Sequence, residues 1–381
     1  MKIVWLGSVI NSEAQLKNNA ISLASSYWQG CFIEAIESTG IETTTISSMP
    51  YRAFPFGPML VRPIINDFVN SEFILYDYLN LKWFRERSKS RGIKKTLSSF
   101  SHIDAIVSYN PYPECRDAAA KFSLQHQVPW IEICADAIES KPGWERSYGE
   151  KKVPDGFIFL SSEAYERCPV DNKMLTPGGV PVRPDSGHKD RTDRPDDTQI
   201  DSVVFLFSGS FEYWSGLTLL LKAFINLPLD KPRSLIICGY GPLTVSDQVL
   251  IDSDNRIQFF GTVSKPDLND LREKADILVN PRPCITENVF NFPSKLLEYM
   301  AYQKIIVSTK TPGIPSDFSE MMILTTDSVS DLGRGLQQAA EMTAEQRKPM
   351  LHSLGVYAGA HTWSHEADRF GLFLRQLIKE A

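Results

Sequence analysis

The chain has 381 residues, with 46 acidic and 40 basic side chains and a formal net charge of -6. That length exceeds what one hydrophobic core ordinarily supports, so two α/β domains of usual size are expected. Net acidity argues against a general nucleic-acid binder, which needs a basic domain or stripe to meet phosphates.

Residues 2–7 form a short apolar run that reads as a strand. It is far too short for a signal-peptide core, and no later run approaches the ~18 apolar residues of a membrane span, so a cytoplasmic protein is expected. A polar loop follows, then an amphipathic helix over 23–37 that Gly40 stops, then a β-branched strand over 41–47. Further strand candidates lie at 104–108, 130–134 and 156–160, with helical or turn segments between them. This alternation is that of a doubly wound α/β sheet. Pro, Asp, Arg, Gly and His dominate 181–200, which is too polar to be core and reads as a linker. The alternation then restarts, with strands at 203–207, 234–238, 257–260, 277–280 and 305–308 and helices over 216–226, 265–274 and 294–302. The last segment, 363–379, is an amphipathic helix with Phe370, Phe373, Leu374 and Leu377 on one face. The expected organisation is a first domain over 1–181, a linker over 182–200, a second domain over 201–362 and a terminal helix over 363–381.

Six scattered cysteines show neither C-x-x-C spacing nor a disulfide framework, and read as reduced thiols. His361 and His365 have i, i+4 spacing without the Glu of a zinc-protease helix. Asp252-Ser253-Asp254 has Asp-x-Asp form but lies in a polar loop and reads as a solvated turn. No metal site is expected.

The richest stretch is Asn280-Pro281-Arg282, then Glu287, then Phe292-Pro293-Ser294-Lys295-Leu296-Leu297-Glu298-Tyr299-Met300-Ala301. Pro293 suits the first turn of a helix, where its missing N–H is not needed. The free N–H groups of such a turn favour an anion, and a cation there, Lys295, helps only beside negative charge. A diphosphate meets both conditions. Glu298, one turn on, can accept hydrogen bonds from two ribose hydroxyls. The competing reading is an ordinary Lys/Glu pair on a solvated helix.

This stretch resembles the donor site of glycosyltransferases with the B-type (GT-B) fold, especially the retaining family four. The resemblance extends to Phe207-Ser208-Gly209-Ser210 and the helix from Gly216, to Ile236-Ile237-Cys238-Gly239-Tyr240-Gly241-Pro242, and to Phe259-Phe260-Gly261-Thr262-Val263. It covers 203–312, and Trp363 matches a common tail tryptophan. It implies two Rossmann-like domains facing a cleft, with the terminal helix crossing back to the first domain. It also implies transfer of a sugar, with retention, from a nucleotide diphosphate sugar to a hydroxyl acceptor, in polysaccharide or glycoconjugate biosynthesis and without a cofactor. By resemblance, Glu298 binds the ribose, Glu287 meets the donor sugar, and Lys295 and Arg282 neutralise the departing diphosphate. Gly209, Ser210, Gly239, Tyr240, Gly241 and Ser294 complete the donor site. The chain departs from the family pattern in three places. Ten residues, not seven, separate the two glutamates; Ser210 and Ser215 stand where an Arg and a Lys are common; and Gln303 replaces the customary Gly after the helix.

In the first half, Asp136 follows the 130–134 strand at its carboxyl end, where open α/β sheets bind ligands, and is the third catalytic candidate. Its alternative is a turn cap. Tyr109 and Asn110, with Asn11 and Ser12 in the first loop, are candidates for binding a glycan, lipid-linked or small-molecule acceptor; a plain turn is the alternative at 109–110. Seven basic residues between Lys82 and Lys95 face one acid, Glu86, and aromatics including Trp83 and Phe84 lie close by. Two readings stand for this stretch: a solvated helix over a packed core, or peripheral contact with anionic lipid at the inner face of a membrane. Two alternatives to transfer also stand, a nucleotide-sugar epimerase on the same architecture and a non-catalytic partner subunit, the latter suggested by Ser210 and Ser215.

Overall fold

Strands buried on both faces favour apolar side chains at successive positions, as in 2–7, 104–108 and 130–134, whereas 41–47 buries a run of threonines instead. In the computed structural model, which describes residues 1–9, 23–49, 51–62, 72–110, 112–136, 152–183, 202–230 and 232–380, all four become central strands of a parallel sheet. The chain divides into two units, Met1–Gly179 with Trp363–Ala381, and Val180–Thr362.

The first unit runs β1 (Lys2–Gly7), α1 (Leu23–Ser38), β2 (Glu42–Ser47), β3 (Leu60–Val61), β4 (Glu72–Leu75), β5 (Tyr78–Leu79), α2 (Arg85–Leu97), β6 (Ala105–Tyr109), α3 (Pro113–His126), β7 (Trp130–Cys134), β8 (Gly156–Phe159), α4 (Ser162–Arg167) and β9 (Lys173–Leu175). Seven strands pair in parallel in the order β4-β2-β1-β6-β7-β8-β9, while β3 and β5 make a separate antiparallel ribbon. The strand order reverses between β1 and β6.

The second unit runs β10 (Val203–Ser210), α5 (Leu217–Ile225), β11 (Arg233–Tyr240), α6 (Val245–Asp252), β12 (Ile257–Gly261), α7 (Lys265–Lys274), β13 (Ile277–Asn280), α8 (Thr286–Val289), α9 (Lys295–Met300), β14 (Ile305–Thr309), β15 (Ile323–Thr325), α10 (Val329–Glu341) and α11 (Ala344–Ala360). Its six parallel strands take the order β12-β11-β10-β13-β14-β15, so the reversal falls between β10 and β13. A crevice at the carboxyl ends of such a pair is where an open α/β sheet binds its ligand. The chain prepares its helices locally: Thr244, Ser264 and Ser328 each accept the third amide of the helix they precede, and Thr343 with Gln346 makes a full capping box.

The terminal helix α12 (Trp363–Glu380) belongs to the first unit. It buries Ala367, Phe370, Leu374 and Leu377, the spacing of one helical face, and Phe370 meets Phe32 of α1 with ring centroids 5.6 Å apart. Phe373 lies at the margin of that face, where it and Leu377 close over Gly156; a Cβ at Gly156 would fall 2.7 Å from each.

Three sequence expectations change. Arg183, placed at the start of the linker, is tied to Glu273 through Nε at 2.8 Å and Nη2 at 2.6 Å, while 184–200 lie outside the described residues. Asp254 is not a solvated turn residue. Its carboxylate holds Arg256 at 2.6 Å, and that guanidinium also donates to the carbonyls of Ile225 and Leu227, each at 3.2 Å, closing the end of α5. The basic run in α2 is also not one free face. Lys89 pairs with Glu114 of α3 at 3.1 Å and Lys94 pairs with Asp117, because α2 packs along α3 and brings those acids across.

Candidate functional site

The site begins with two glycines. β10 and β11 run in register with Gly209 opposite Gly239, and Gly239 has φ 154°. A Cβ at Gly239 would lie 1.7 Å from the Gly209 carbonyl oxygen, so the strands approach this closely only with glycine there. At Gly209 a Cβ would lie 2.7 Å from Lys295 Nζ. The missing side chain is the space that the ammonium occupies.

Lys295 is the first residue of α9, and its ammonium sits 4.6 Å from the centroid of the Phe207 ring. Dehydration first, then the positive charges of Arg282 and Arg272, push its pKa down to about 7, with Glu298 opposing them. Glu298 is itself ion-paired to Arg272 of α7, a residue that is 8 % exposed. Lys295 thus lies among two arginines and one carboxylate at the reversal between β10 and β13. Arg272 escaped the sequence reading. Its only local signal is its place beside Leu271, on the buried side of a helix whose Lys265, Asp267, Asp270 and Lys274 are exposed.

The helix starts at Lys295 rather than Pro293. The Pro293 and Ser294 carbonyls accept from the amides of Leu296 and Leu297 in tight three-residue turns, and the Ser294 side chain caps nothing. With only six residues in α9, the positive character of the site comes from side chains more than from a helix dipole. Tyr299 anchors the helix: its hydroxyl accepts from Ser208 N at 3.2 Å and donates to the Val279 carbonyl at 3.4 Å. Gln303 takes a left-handed conformation, φ 48°, and so fills the position that glycine would suit.

The other donor-site candidates fall nearby or apart. Tyr240 ends β11, and burial together with Glu298 raises its phenol pKa; Gly241 turns the chain away. Ser210 accepts from Glu212 N at 3.1 Å, and Ser215 is buried in the short 3-10 turn Tyr213–Ser215. Glu287 is exposed on α8, where Tyr213 donates to it at 2.5 Å and holds its carboxyl below the usual range. Asn288 ties α8 to the Trp214 and Pro283 carbonyls at 2.9 and 2.8 Å. Lys295, Glu298, Gly209, Arg282 and Tyr240 therefore share one neighbourhood, and Glu287 has Tyr213 as its partner.

Residues 202–341 match the family model of glycosyl transferases group 1. No curated protein matches the chain. Solved structures do: a glycosyltransferase from Rickettsia africae is 12% identical with a TM-score of 0.72, and a sucrose-phosphate synthase from Thermosynechococcus elongatus is 16% identical with a TM-score of 0.70, each match covering 100% of both chains. Anabaena HepE, solved with UDP and glucose, is 14% identical with a TM-score of 0.62, over 99% of this chain and 100% of that one. At these identities the likeness shows the fold, which is GT-B. The matched segment contains Gly209, Gly239, Arg272, Arg282, Lys295 and Glu298.

Outside the matched segment, the first unit holds a second cluster. Asn110, with φ 56°, follows β6 at the reversal of that sheet. Its Oδ1 accepts from the amides of Ala135 and Asp136 at 2.9 and 3.2 Å, and its Nδ2 donates to Asp136 Oδ2 at 3.1 Å. Asp136 is exposed, whereas the Tyr109 phenol is buried and its pKa is pushed up by burial and then by Asp136. Gln29 is a second residue that the sequence did not reveal: its Oε1 accepts from Trp5 Nε1 at 3.1 Å and from Ser8 N at 3.3 Å, fixing the chain as it leaves β1. Asn11 and Ser12 lie outside the described residues. Among the described residues no three His, Cys, Asp or Glu side chains gather as metal ligands, and no helix is long and apolar enough to cross a membrane.

Proposed function

We propose that this protein transfers a sugar from a nucleoside diphosphate sugar to a hydroxyl acceptor, with retention at the anomeric carbon. One observation carries this reading: the Lys295 ammonium seated over Gly209 and flanked by Arg282 and Arg272, at the carboxyl end of a parallel sheet. As the bond from the anomeric carbon to the diphosphate oxygen breaks, negative charge develops on the leaving group. Fixed cations aimed there stabilise the transition state more than the ground state. The acceptor oxygen bonds to the anomeric carbon from the face the diphosphate leaves, and its proton passes to a phosphate oxygen. Glu298, oriented by Arg272, accepts the ribose hydroxyls, and Glu287 meets the donor sugar. Asp136 and Asn110 receive hydroxyls of the acceptor or sugar. Lysine and arginine neutralise the diphosphate, a task that then requires no metal.

The match to the group 1 family supports this reading. The UDP and glucose solved with the Anabaena neighbour support a uridine diphosphate sugar as the first donor to try. A setting in cytoplasmic polysaccharide or glycoconjugate synthesis follows the same line. The test is thermal unfolding with UDP, GDP and ADP, followed by assay of nucleotide release with and without hydroxyl acceptors. Stabilisation by one nucleotide, with acceptor-dependent release, is the expected result. An epimerised sugar nucleotide formed without acceptor would replace transfer with epimerisation. No stabilisation by any nucleotide would leave a non-catalytic subunit.

A further inference from the structure

We propose that the surface built from residues 52–62, β5 and the entrance to α2 docks on an anionic lipid bilayer. This inference is independent of the donor site and comes from an arrangement that is costly in water. Phe56 and Trp83 are 84 % and 83 % exposed, and Phe54, Met59, Leu60 and Phe84 join them at the surface. Isolated exposed apolar residues are ordinary, but a cluster held in place is a contact surface.

The cluster is held in place by Asn80. Its carboxamide donates to the carbonyls of Arg52 and Pro58 at 2.7 and 3.0 Å. Its backbone carbonyl accepts from Phe54 N at 3.0 Å, and its amide donates to the Met59 carbonyl at 2.8 Å. β3 pairs Leu60 with Leu79 alongside. A buried asparagine thus displays the aromatic side chains rather than tucking them in.

The charges around the cluster select the occupant. Segments 51–62 and 77–88, which carry the cluster, hold five basic residues, Arg52, Arg62, Lys82, Arg85 and Arg87, against two acids, Asp77 and Glu86. Lys82 Nζ lies 5.7 Å from the Trp83 ring centroid. The core of a protein interface is depleted in lysine and other charges. A bilayer surface instead takes Trp and Phe at headgroup depth with Lys and Arg on its phosphates, and this is the composition here. Lys89 and Lys94, neutralised by α3, are no part of the surface.

The place in the fold gives the docking a use. Residues 48–62 follow β2 and residues 76–84 follow β4, so the surface leaves the carboxyl ends of those strands, the same edge that carries Asn110 and Asp136 after β6 and β7. From β4 to β7 is four strand steps, about 19 Å at ~4.8 Å each. A hydroxyl acceptor borne on a lipid would be presented along that edge; this clause rests on the transfer reading, and the docking does not.

The test is co-sedimentation of the full chain with vesicles of phosphatidylcholine alone and of phosphatidylcholine with phosphatidylglycerol, at low and high salt. We expect binding to the anionic vesicles that weakens with salt and is lost in Phe56→Ser/Trp83→Ser. Lys82→Glu/Arg87→Glu should lower it by about fivefold or more per residue. The midpoint of thermal unfolding without lipid, measured on the same samples, should be unchanged in both variants because the substituted side chains are exposed, which separates loss of docking from loss of folding whether or not a nucleotide binds. Equal binding by variants and wild type, or no preference for anionic vesicles, would overturn the proposal. Wild type that dimerises through this face, with the aromatic variant monomeric, would overturn it in favour of a second copy.

Discussion

Lys295 is a cation kept ready for an anion. In the free protein its pKa is brought down to about 7, so near neutrality it holds its proton only part of the time. A bound diphosphate raises that pKa again. Nucleoside diphosphate affinity should therefore fall as pH rises above about 7, with proton uptake on binding near pH 8. Calorimetry in buffers of different ionisation enthalpy measures that uptake, and Lys295→Met should abolish it. The stability of the free protein has the opposite sign. The unfolded chain holds the lysine proton up to the ordinary range, so stability should rise with pH from about 7 upward as the desolvated charge is discharged. Lys295→Ala should reduce turnover by about a hundredfold to a thousandfold with the fold intact. Near-normal turnover would remove Lys295 from the mechanism. The Lys295 and Glu298 positions were legible because both lie on one short helix. Arg272 was not, because its partner is 26 residues away on another helix and no local spacing predicts that contact.

At the scale of elements, the strand interiors were legible and their ends were not. β10 and β11 run on to Ser210 and Tyr240, past the last apolar residues, because parallel pairing continues through two glycines. Glycine usually weakens a strand, so composition suggests an earlier stop. Gly239→Ala would force the Gly209 carbonyl away and part the two strands just beneath Lys295. We expect a loss of about 3 kcal/mol or more in urea unfolding, together with loss of nucleotide stabilisation. An alanine variant of wild-type stability would show that the strands can separate here without cost. The start of α9 falls one residue after the expected Ser294 and two after Pro293, because Pro293 is compatible with helix but hydrogen bonds close first as 3-10 turns.

At the scale of the whole molecule, length and the repeated alternation of strand and helix made two units legible, and the aromatic spacing of the last segment made its buried face legible. Which surface that face covers depends on α1, more than three hundred residues away in sequence, and no periodicity carries that information. Phe370 is buried against Phe32, and Phe370→Ala should cost about 3–5 kcal/mol in chemical denaturation, concentrated in the first unit. The cost should be absent from hydrogen exchange in the core of β10 and β11. The placement of α12 also sets an order of events during synthesis. Residues 1–179 leave the ribosome before the helix that covers Trp28 and Phe32, which follows only with Trp363–Glu380, whereas Val180–Thr362 is complete before that helix emerges. The half of the chain translated second is therefore the half able to finish folding first, and a nascent chain truncated before Trp363 should carry a protease-sensitive amino-terminal half beside a protected carboxy-terminal one.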